Sequence, residues 1–350
     1  MRVLMVGVDK QTKGGMWTVA ENYLRTESFV KESGLEYVPT SITGSIPKKM
    51  LFTAKALVSI FAKLLTNQYD ILHVHMAERG SVYRKNLVIT LAKLFGCKVI
   101  IHMHGAEFET WYQTLSEKKK RGVRRILCKA DRVLILGEYW REFVCALVED
   151  GSRVCVLHNA VSVPAKNPYN PNAQNLLFLG VVGKRKGIGD LLEAVKQIDN
   201  QLPKECKLML YGPESDGPIA PVVGELGLSH RVKHSAWLSG EDKAKVFAET
   251  AVNILPSYNE GLPMSILETM ASGIPNITTT VAAIPEVVNE QNGALICPSD
   301  VTQLAQEILN LMSDPVARVQ KSGAAYEKVK AEFSISRHTG RLLDIYRELT

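Results

Sequence analysis

The chain has 350 residues, of which 46% are hydrophobic and 22% charged, and a formal net charge of +6 at pH 7. This composition is typical of a folded globular protein and excludes a disordered chain, and the length gives room for two domains. The sequence contains no uncharged apolar run of about 18 residues, so no transmembrane helix is predicted. Residues 1–165 hold 24 basic against 15 acidic side chains, whereas residues 166–350 hold 18 against 21, so the positive charge belongs to the first half.

The six cysteines are scattered along the chain, and none forms a Cys-x-x-Cys pair. This spacing argues against a disulfide framework or a zinc site and favours a reducing compartment. The apolar run at the N-terminus is too short for a signal peptide and lacks a cleavage-like site. We therefore expect a cytoplasmic protein.

The first predicted element is a strand, Arg2–Val8, followed by a loop that ends in Gly14 and Gly15 and by a helix from Met16. Two glycines at a strand-to-helix turn either make a tight turn or let the backbone approach a ligand closely. The pair is not part of a Gly-x-Gly-x-x-Gly sequence, so no dinucleotide fingerprint is predicted.

Five more apolar strands are predicted in the first half, with helical patterns between them. They are Glu36–Ile42, Asp70–His75, Lys98–His104, Arg132–Leu136 and Val154–His158. Strands that alternate with helices predict a parallel, doubly wound α/β sheet. Ligands of such sheets bind at the carboxyl ends of the strands.

Histidines occur in pairs at two of these strand ends, His73 with His75 and His102 with His104. Because side chains alternate along a strand, each pair lies on one side of it. Metal binding is one interpretation, but no cysteine or carboxylate cluster of ligand spacing accompanies the pairs. We therefore expect His73, His75 and His102 to be structural or solvent-facing, and we predict no metal ligands.

Basic residues concentrate in two stretches of the first half. A helix predicted over 48–65 carries lysines beside large apolar residues, and residues 118–125 hold six basic residues in eight. These are either solvated helix faces or a contact with anionic lipid, to which each basic residue adds up to roughly 1 kcal/mol. A nucleic-acid surface would need interleaved aromatic residues, so no nucleic-acid partner is predicted.

A linker is predicted from Asn159-Ala160-Val161 and the proline-rich residues that follow. A second run of strands and helices begins at Asn175. The strand Asn175–Val182 leads into the loop 183–189, which is basic and rich in glycine and suits a diphosphate. Gly-x4-Gly-Lys-Ser/Thr is absent, so the loop is not a P-loop. Further strands are predicted at Lys207–Tyr211, Val232–Leu238, Val252–Leu255 and Ala294–Cys297.

The most informative stretch is 259–273, which follows the predicted strand Val252–Leu255. Pro263 suits the first position of a helix and Gly273 the position just past its end. Glu260 lies in the loop before this helix, and Glu268 about one and a half turns inside it. A helix N-terminus attracts phosphate, and a carboxylate accepts hydrogen bonds from a vicinal diol, so this stretch suits a nucleotide sugar. The alternative is that Glu260 caps the helix and Glu268 is solvated.

The stretch from Glu260 to Glu268 reads Glu-Gly-Leu-Pro-Met-Ser-Ile-Leu-Glu, with seven residues between the two glutamates. It resembles the Glu-x7-Glu motif of the retaining glycosyltransferases of family 4. Segments 271–275 and 284–288 also resemble those that follow the motif in that family. The resemblance covers nearly the whole chain and implies the GT-B fold, two doubly wound parallel-sheet domains that face a cleft. It implies an acceptor-side domain over 1–163 with a crossover helix at about 337–350, and a donor domain over 164–336.

The resemblance also implies the functional residues. His104 matches the family's histidine at a strand tip near the donor sugar, Glu260 is expected on the sugar hydroxyls and Glu268 on the ribose diol. Lys186 matches the family's phosphate-binding lysine, but Val181 replaces its usual arginine partner, which leaves Arg185 or Lys184 to supply a second charge. The expected catalytic residues are His104 and Glu260, and the expected donor-binding residues are Gly14, Gly15, Arg185, Lys186, Gly212, Gly261, Leu262, Pro263, Met264, Ser265 and Glu268.

The expected activity is transfer of a sugar, with retention, from a nucleotide diphosphate sugar to an acceptor hydroxyl. The resemblance implies that no metal ion or other cofactor is required, and the chain contains no Asp-x-Asp, so the usual divalent-metal anchor has no candidate. The basic first half favours a lipid-linked saccharide acceptor and peripheral contact with the inner membrane face, as in surface polysaccharide assembly. The alternatives are an epimerase of nucleotide sugars and a non-catalytic nucleotide-sugar-binding scaffold.

Overall fold

The computed structural model describes residues 1–12, 14–238 and 240–350, apart from the side chain of Glu241. The chain divides into two compact units, Met1–Ala160 with Ile335–Thr350, and Val161–Ser334. The sequence interpretation had placed these divisions at 163/164 and 336/337.

The first unit contains a six-stranded sheet in which every pairing is parallel. Its strands are β1 (Val3–Val8), β2 (Glu36–Ser41), β3 (Ile71–Met76), β4 (Lys98–Met103), β5 (Arg132–Ile135) and β6 (Val154–Val156), in the order β2-β1-β3-β4-β5-β6. The helices between them are α1 (Gly15–Arg25), α2 (Glu27–Ser33), α3 (Ile46–Thr66), α4 (Gly80–Leu94), α5 (Phe108–Gln113), α6 (Glu117–Leu127) and α7 (Arg141–Cys145). Residues 3–6 of β1 are fully buried, as expected for a sheet covered on both faces.

The second unit repeats this plan. Its strands are β7 (Asn175–Leu179), β8 (Leu208–Tyr211), β9 (Val232–Ser235), β10 (Thr250–Leu255), β11 (Asn276–Thr279) and β12 (Gly293–Ile296), all parallel, in the order β12-β11-β10-β7-β8-β9. Its helices are α8 (Ile188–Ile198), α9 (Ile219–Glu225), α10 (Gly240–Ala248), α11 (Met264–Ala271), α12 (Val301–Ser313) and α13 (Pro315–Glu332). The predicted doubly wound parallel architecture is confirmed in both units.

The last helix, α14 (Ile335–Arg347), belongs to the first unit. Leu342, Ile345 and Tyr346 are fully buried on its apolar face. The Tyr346 hydroxyl lies 2.6 Å from Nδ1 of His73 on β3, which fixes the helix against the sheet.

Two details of the sequence interpretation were wrong. Strand β11 was not predicted, because Asn276, Thr278 and Thr279 make it look polar; in the fold all three are buried and hydrogen-bonded. Pro263 precedes α11 instead of occupying its first position, since the helix begins at Met264. Within the described part of the chain, no helix is both long enough and apolar enough to cross a membrane.

Candidate functional site

In the second unit, three loops that follow strands β7, β8 and β10 hold most of the predicted donor-binding residues. Strand β10 is fully buried and ends at Leu255, and the loop 256–263 carries the chain into α11. The helix buries Ile266, Leu267, Met270 and Ala271, which is the face that its sequence period predicts. Gly273 has a φ of +69°, a left-handed conformation that terminates the helix as expected.

Glu260 is buried in this loop and forms an ion pair with Lys186. Their side chains are only 6% and 12% exposed. The Ser257 hydroxyl donates to the same carboxylate oxygen over 2.7 Å, and Ser257 is itself held because Thr279 Oγ1 donates to its carbonyl over 2.6 Å. Pro263, which precedes α11, forms no side-chain cap, and the Glu260 carboxylate accepts hydrogen bonds from Lys186 and Ser257. The structure joins the two predicted residues from positions 74 apart.

The basic loop is fixed against the loop after β10. Arg185 donates from its guanidinium to the Asn259 carbonyl over 2.7 Å, and its own carbonyl accepts from the Tyr258 amide over 2.9 Å. Gly187 has a φ of +71°, and a Cβ there would lie 2.0 Å from the Pro256 carbonyl oxygen. A larger residue at 187 would therefore separate the two loops and move Lys186 away from Glu260.

Gly212 follows β8 and lies against the loop after β7. Its φ is +152°, and a Cβ there would lie 1.7 Å from the carbonyl oxygen of Gly180. This contact explains the glycine through packing of backbone on backbone. The expected donor contact at Gly212 stays a prediction.

Glu268 on α11 pairs with Lys243 on α10, with 2.7 Å between Nζ and Oε2. The two side chains are 21% and 26% exposed, so the carboxylate still reaches solvent. An ionised carboxylate offers about four acceptor positions, and Lys243 uses one of them. The arrangement leaves acceptor capacity for hydroxyl groups.

The first turn of α11 provides backbone donors beside Glu260. The first helical hydrogen bond that closes this end runs from the Leu267 amide to the Pro263 carbonyl at 3.5 Å. The amides of Met264 and Ser265 precede that bond, in the part of a helix where amides lack intrahelical acceptors. Gly261, Leu262 and Pro263 are buried and bring the chain to this point.

Gly14, Gly15 and His104 lie in the first unit. Gly14 precedes α1 with a φ of +145°, and among the described atoms nothing lies within 4 Å of where its Cβ would be. Gly15 is the first residue of α1. His104 follows β4, with its Nε2 atom 2.7 Å from Nδ1 of His75. Burial lowers the pKa of His104 to about 3, so its imidazole is neutral at neutral pH.

The two predicted histidine pairs form a single group, which we call the histidine cluster (His73, His75, His102 and His104). Strands β3 and β4 are neighbours, and their register puts His75 beside His102. His73, His75 and His102 are fully buried, so the expectation of solvent-facing side chains was wrong.

Two residues of this site were missed in the sequence interpretation, Lys243 and Ser257. The contact of Lys243 with Glu268 depends on where α10 packs, and the sequence gives no signal of it. Ser257 follows a buried strand and precedes a glutamate by three residues, a local pattern that could have indicated its hydrogen bond to Glu260.

Comparisons with known proteins place the chain in a family. The family model described as "Glycosyl transferases group 1" matches residues 173–314, and that of "Glycosyl transferase 4-like domain" matches residues 17–160. The chain belongs to the family-4 glycosyltransferases. It is therefore a glycosyltransferase with the GT-B fold, and the predicted enzyme class is confirmed.

Two relatives and one solved structure are similar to this chain. An uncharacterized 41.2 kDa protein in the cps region of Klebsiella pneumoniae is 25% identical over an alignment that covers 98% of this chain and 99% of that protein. The Escherichia coli UDP-Gal:α-D-GlcNAc-diphosphoundecaprenol α-1,3-galactosyltransferase is 23% identical, with 84% and 79% covered. The solved sucrose-phosphate synthase of Thermosynechococcus elongatus superposes with a TM-score of 0.79 at 18% identity, with 99% and 98% covered.

Proposed function

We propose that this glycosyltransferase binds a nucleoside diphosphate sugar in its second unit, where the loops after β7 and β10 meet the start of α11. The observation that carries the proposal is the buried pair of Lys186 and Glu260 directly before a helix N-terminus, with Glu268 further along the same helix. One location thus combines a cation, the amides of a helix N-terminus and two carboxylates. These are the groups that a diphosphate and two sugars require.

The roles follow from the chemistry of each group. Lys186 has three donor hydrogens and gives one to Glu260, which leaves two for phosphate oxygens beside the Met264 and Ser265 amides. Glu268 accepts from the ribose diol. Glu260, which Lys186 and Ser257 hold in place, accepts from hydroxyls of the transferred sugar. Arg185 is bound to the Asn259 carbonyl, so we propose it as the support of this loop and the second positive charge near it.

We propose transfer with retention by a front-face route. The bond between the anomeric carbon and the diphosphate oxygen breaks while the acceptor oxygen bonds to the same face of that carbon. The acceptor's proton passes to an oxygen of the departing diphosphate, so no protein nucleophile forms a covalent intermediate. Lys186 and the helix amides stabilise the developing charge on the diphosphate, and this step requires no metal ion or other cofactor.

We assign His104, Gly14 and Gly15 to the same reaction on the strength of the family resemblance. His104 is neutral, and its Nε2 atom faces Nδ1 of His75, so its ring orientation is fixed. A neutral, oriented imidazole can hydrogen-bond a sugar hydroxyl without adding charge. The open space at Gly14 suits close approach of a ligand to the backbone.

The acceptor that we propose is a lipid-linked saccharide, in the assembly of a surface polysaccharide or glycolipid. The name of the Escherichia coli relative specifies a UDP-sugar donor and a diphosphoundecaprenol-linked acceptor. A lipid-linked acceptor would place the reaction at a membrane surface. The six free cysteines favour the reducing, cytoplasmic side.

Helix α3 provides the surface for this contact. It buries Ala56, Ile60 and Leu64, but its other face exposes large apolar residues, namely Ile46, Met50, Leu51, Val58, Phe61 and Leu65. The exposed Lys48, Lys49 and Lys55 lie on the same helix. Helix α4 packs beside α3, and α6 with its basic run packs beside α4. Apolar residues flanked by basic ones are what an anionic lipid surface binds.

Nucleotide binding tests the donor site. We would titrate UDP, GDP and ADP into wild type, Lys186→Ala, Glu268→Gln and the control Glu225→Gln, which changes an exposed glutamate of the same unit. Lys186→Ala should weaken binding of the preferred nucleotide at least about tenfold, the value of a charge-assisted hydrogen bond. Glu268→Gln should abolish the preference of the enzyme for that nucleotide over its 2′-deoxy form. If both variants bind like the control, the proposed site is wrong.

A further inference from the structure

Three members of the histidine cluster surround one point in the core of the first unit. His73 and His75 come from β3 and His102 from the adjacent β4, and all three are 0% exposed. Their ring centroids form a nearly equilateral triangle, with sides of 5.0, 5.4 and 5.4 Å. One ring nitrogen from each lies within 4.8 Å of the other two.

The hydrogen bonds of the three rings follow one pattern. Each Nδ1 atom has a hydrogen-bond partner. Nδ1 of His73 lies 2.6 Å from the Tyr346 hydroxyl, and Nδ1 of His75 lies 2.7 Å from His104 Nε2. Nδ1 of His102 lies 3.3 Å from His73 Nε2. The Nε2 atoms of His75 and His102 are buried and have no hydrogen-bond partner among the described residues. A buried polar atom without a partner is costly, and two of them at one point need an explanation.

We propose that His73, His75 and His102 bind one transition-metal ion through their Nε2 atoms. Three imidazoles without carboxylates suit Zn²⁺, Co²⁺, Ni²⁺ or copper better than Mg²⁺ or Ca²⁺. A tetrahedral ion at about 2.0–2.1 Å from each nitrogen would set the ring centroids about 5 Å apart, close to the observed triangle. The nitrogens would draw to about 3.4 Å from one another as the rings rotate. The 3.3 Å hydrogen bond between His73 Nε2 and His102 Nδ1 would be lost, because a metal-bound nitrogen neither donates nor accepts.

The surroundings resemble the support that metal-bound histidines receive in proteins. The second nitrogen of such a histidine is usually hydrogen-bonded, and this bond fixes the tautomer and the ring orientation. Here the Tyr346 hydroxyl supports His73, and His104 supports His75. Neither histidine pair has a cysteine or carboxylate of ligand spacing in the sequence, so the prediction of no metal ligands considered each pair alone. The pairing of β3 with β4 brings three of the four histidines together.

Metal binding would also define the state of His104. With its Nε2 on the ion, His75 carries its proton on Nδ1 and donates it to His104 Nε2. His104 would then keep its own proton on Nδ1. The inference goes beyond the proposed function, since the ion would lie in the core of the first unit and would take no part in binding the diphosphate.

Metal content and spectroscopy test this inference without an activity measurement. The full chain would be produced with added zinc, dialysed, and compared with His75→Asn, His102→Asn and the double variant. The control is His230→Asn, which changes an exposed histidine of the second unit. We expect about one zinc per chain for wild type and control, and at least about 100-fold weaker binding in the double variant. Refolding with Co²⁺ should give the visible absorption of a tetrahedral site only where zinc binds.

The wild type alone can overturn the inference. If it retains no zinc after dialysis and shows no Co²⁺ absorption after refolding, the cluster holds no metal, whether or not the variants fold. Equal zinc content in wild type and in a double variant that keeps its far-UV circular dichroism would overturn it as well.

Discussion

Single contacts decide how each charged residue of the second unit can act. Glu260 is almost fully buried, and the ammonium of Lys186 and the hydroxyl of Ser257 compensate its charge. Removal of Lys186 would leave a carboxylate in the interior without its cation, a change that typically costs 3–5 kcal/mol of folding free energy. Glu268 is more exposed and pairs with Lys243, so it can exchange this partner for a ligand.

A buried histidine makes the stability of the first unit depend on pH. His338 on α14 lies 2.5 Å from the Tyr23 hydroxyl and 2.7 Å from the His158 carbonyl, and burial lowers its pKa to about 4. In the unfolded chain this histidine takes up a proton near pH 6.5, whereas in the folded chain it does so only near pH 4. The free energy of unfolding therefore decreases as the pH falls between these values. His338 should contribute about 2 kcal/mol of this loss between pH 7 and pH 5.

Urea unfolding at pH 7 and pH 5 measures this effect. The midpoint of wild type should fall between the two pH values, and it should fall less in His338→Gln, which cannot take up the proton. The control is His230→Gln, which changes an exposed histidine of the second unit and leaves the buried His338 in place. Equal pH dependence in wild type and His338→Gln would refute the assignment.

Helices and strands with a strong period of apolar residues were predictable from the sequence, and those that depend on contacts with other elements were not. Helix α11 ends as its glycine indicates, and its apolar face matches the sequence period. Strand β11 escaped prediction because its polar side chains are satisfied only by other elements, as when Asn253 on β10 donates to Asn276 over 2.6 Å. Likewise Lys186 and Glu260 were recognisable from their motifs, whereas Lys243 depends on the packing of α10.

The exposed apolar face of α3 leads to a prediction about lipid. Wild type should float with vesicles that contain anionic lipid, and Met50→Glu with Val58→Glu should weaken this at least about tenfold, since both side chains would otherwise enter the lipid surface. These residues are 68% and 69% exposed, so the substitutions should not disturb the core. Flotation on a density gradient measures the bound fraction.

A matched control for this experiment is available in the second unit. Val316→Glu with Val319→Glu makes the same charge change at exposed valines of α13 and should float like wild type. If the α3 double variant also floats like wild type, the membrane contact does not involve this helix.

For the whole molecule, the architecture was predictable from the sequence because both sheets consist of parallel strands. Parallel strands that are covered on both faces appear in a sequence as continuous apolar runs. The order of the strands could not be read from those runs. The order β2-β1-β3 in the first unit and β11-β10-β7 in the second arises from crossover connections and packing. The histidine cluster shows the same limit, since it depends on which strands become neighbours.

The measurement that tests the central claim most directly is nucleotide release from a panel of UDP-, GDP- and ADP-sugars, with wild type, Glu268→Ala and the control Glu225→Ala. We predict slow hydrolysis of one donor by wild type and control, and its loss in Glu268→Ala, which would identify base and sugar together. Hydrolysis that persists in Glu268→Ala at the wild-type rate would contradict the donor site proposed on α11. So would the absence both of hydrolysis and of any nucleotide binding in wild type.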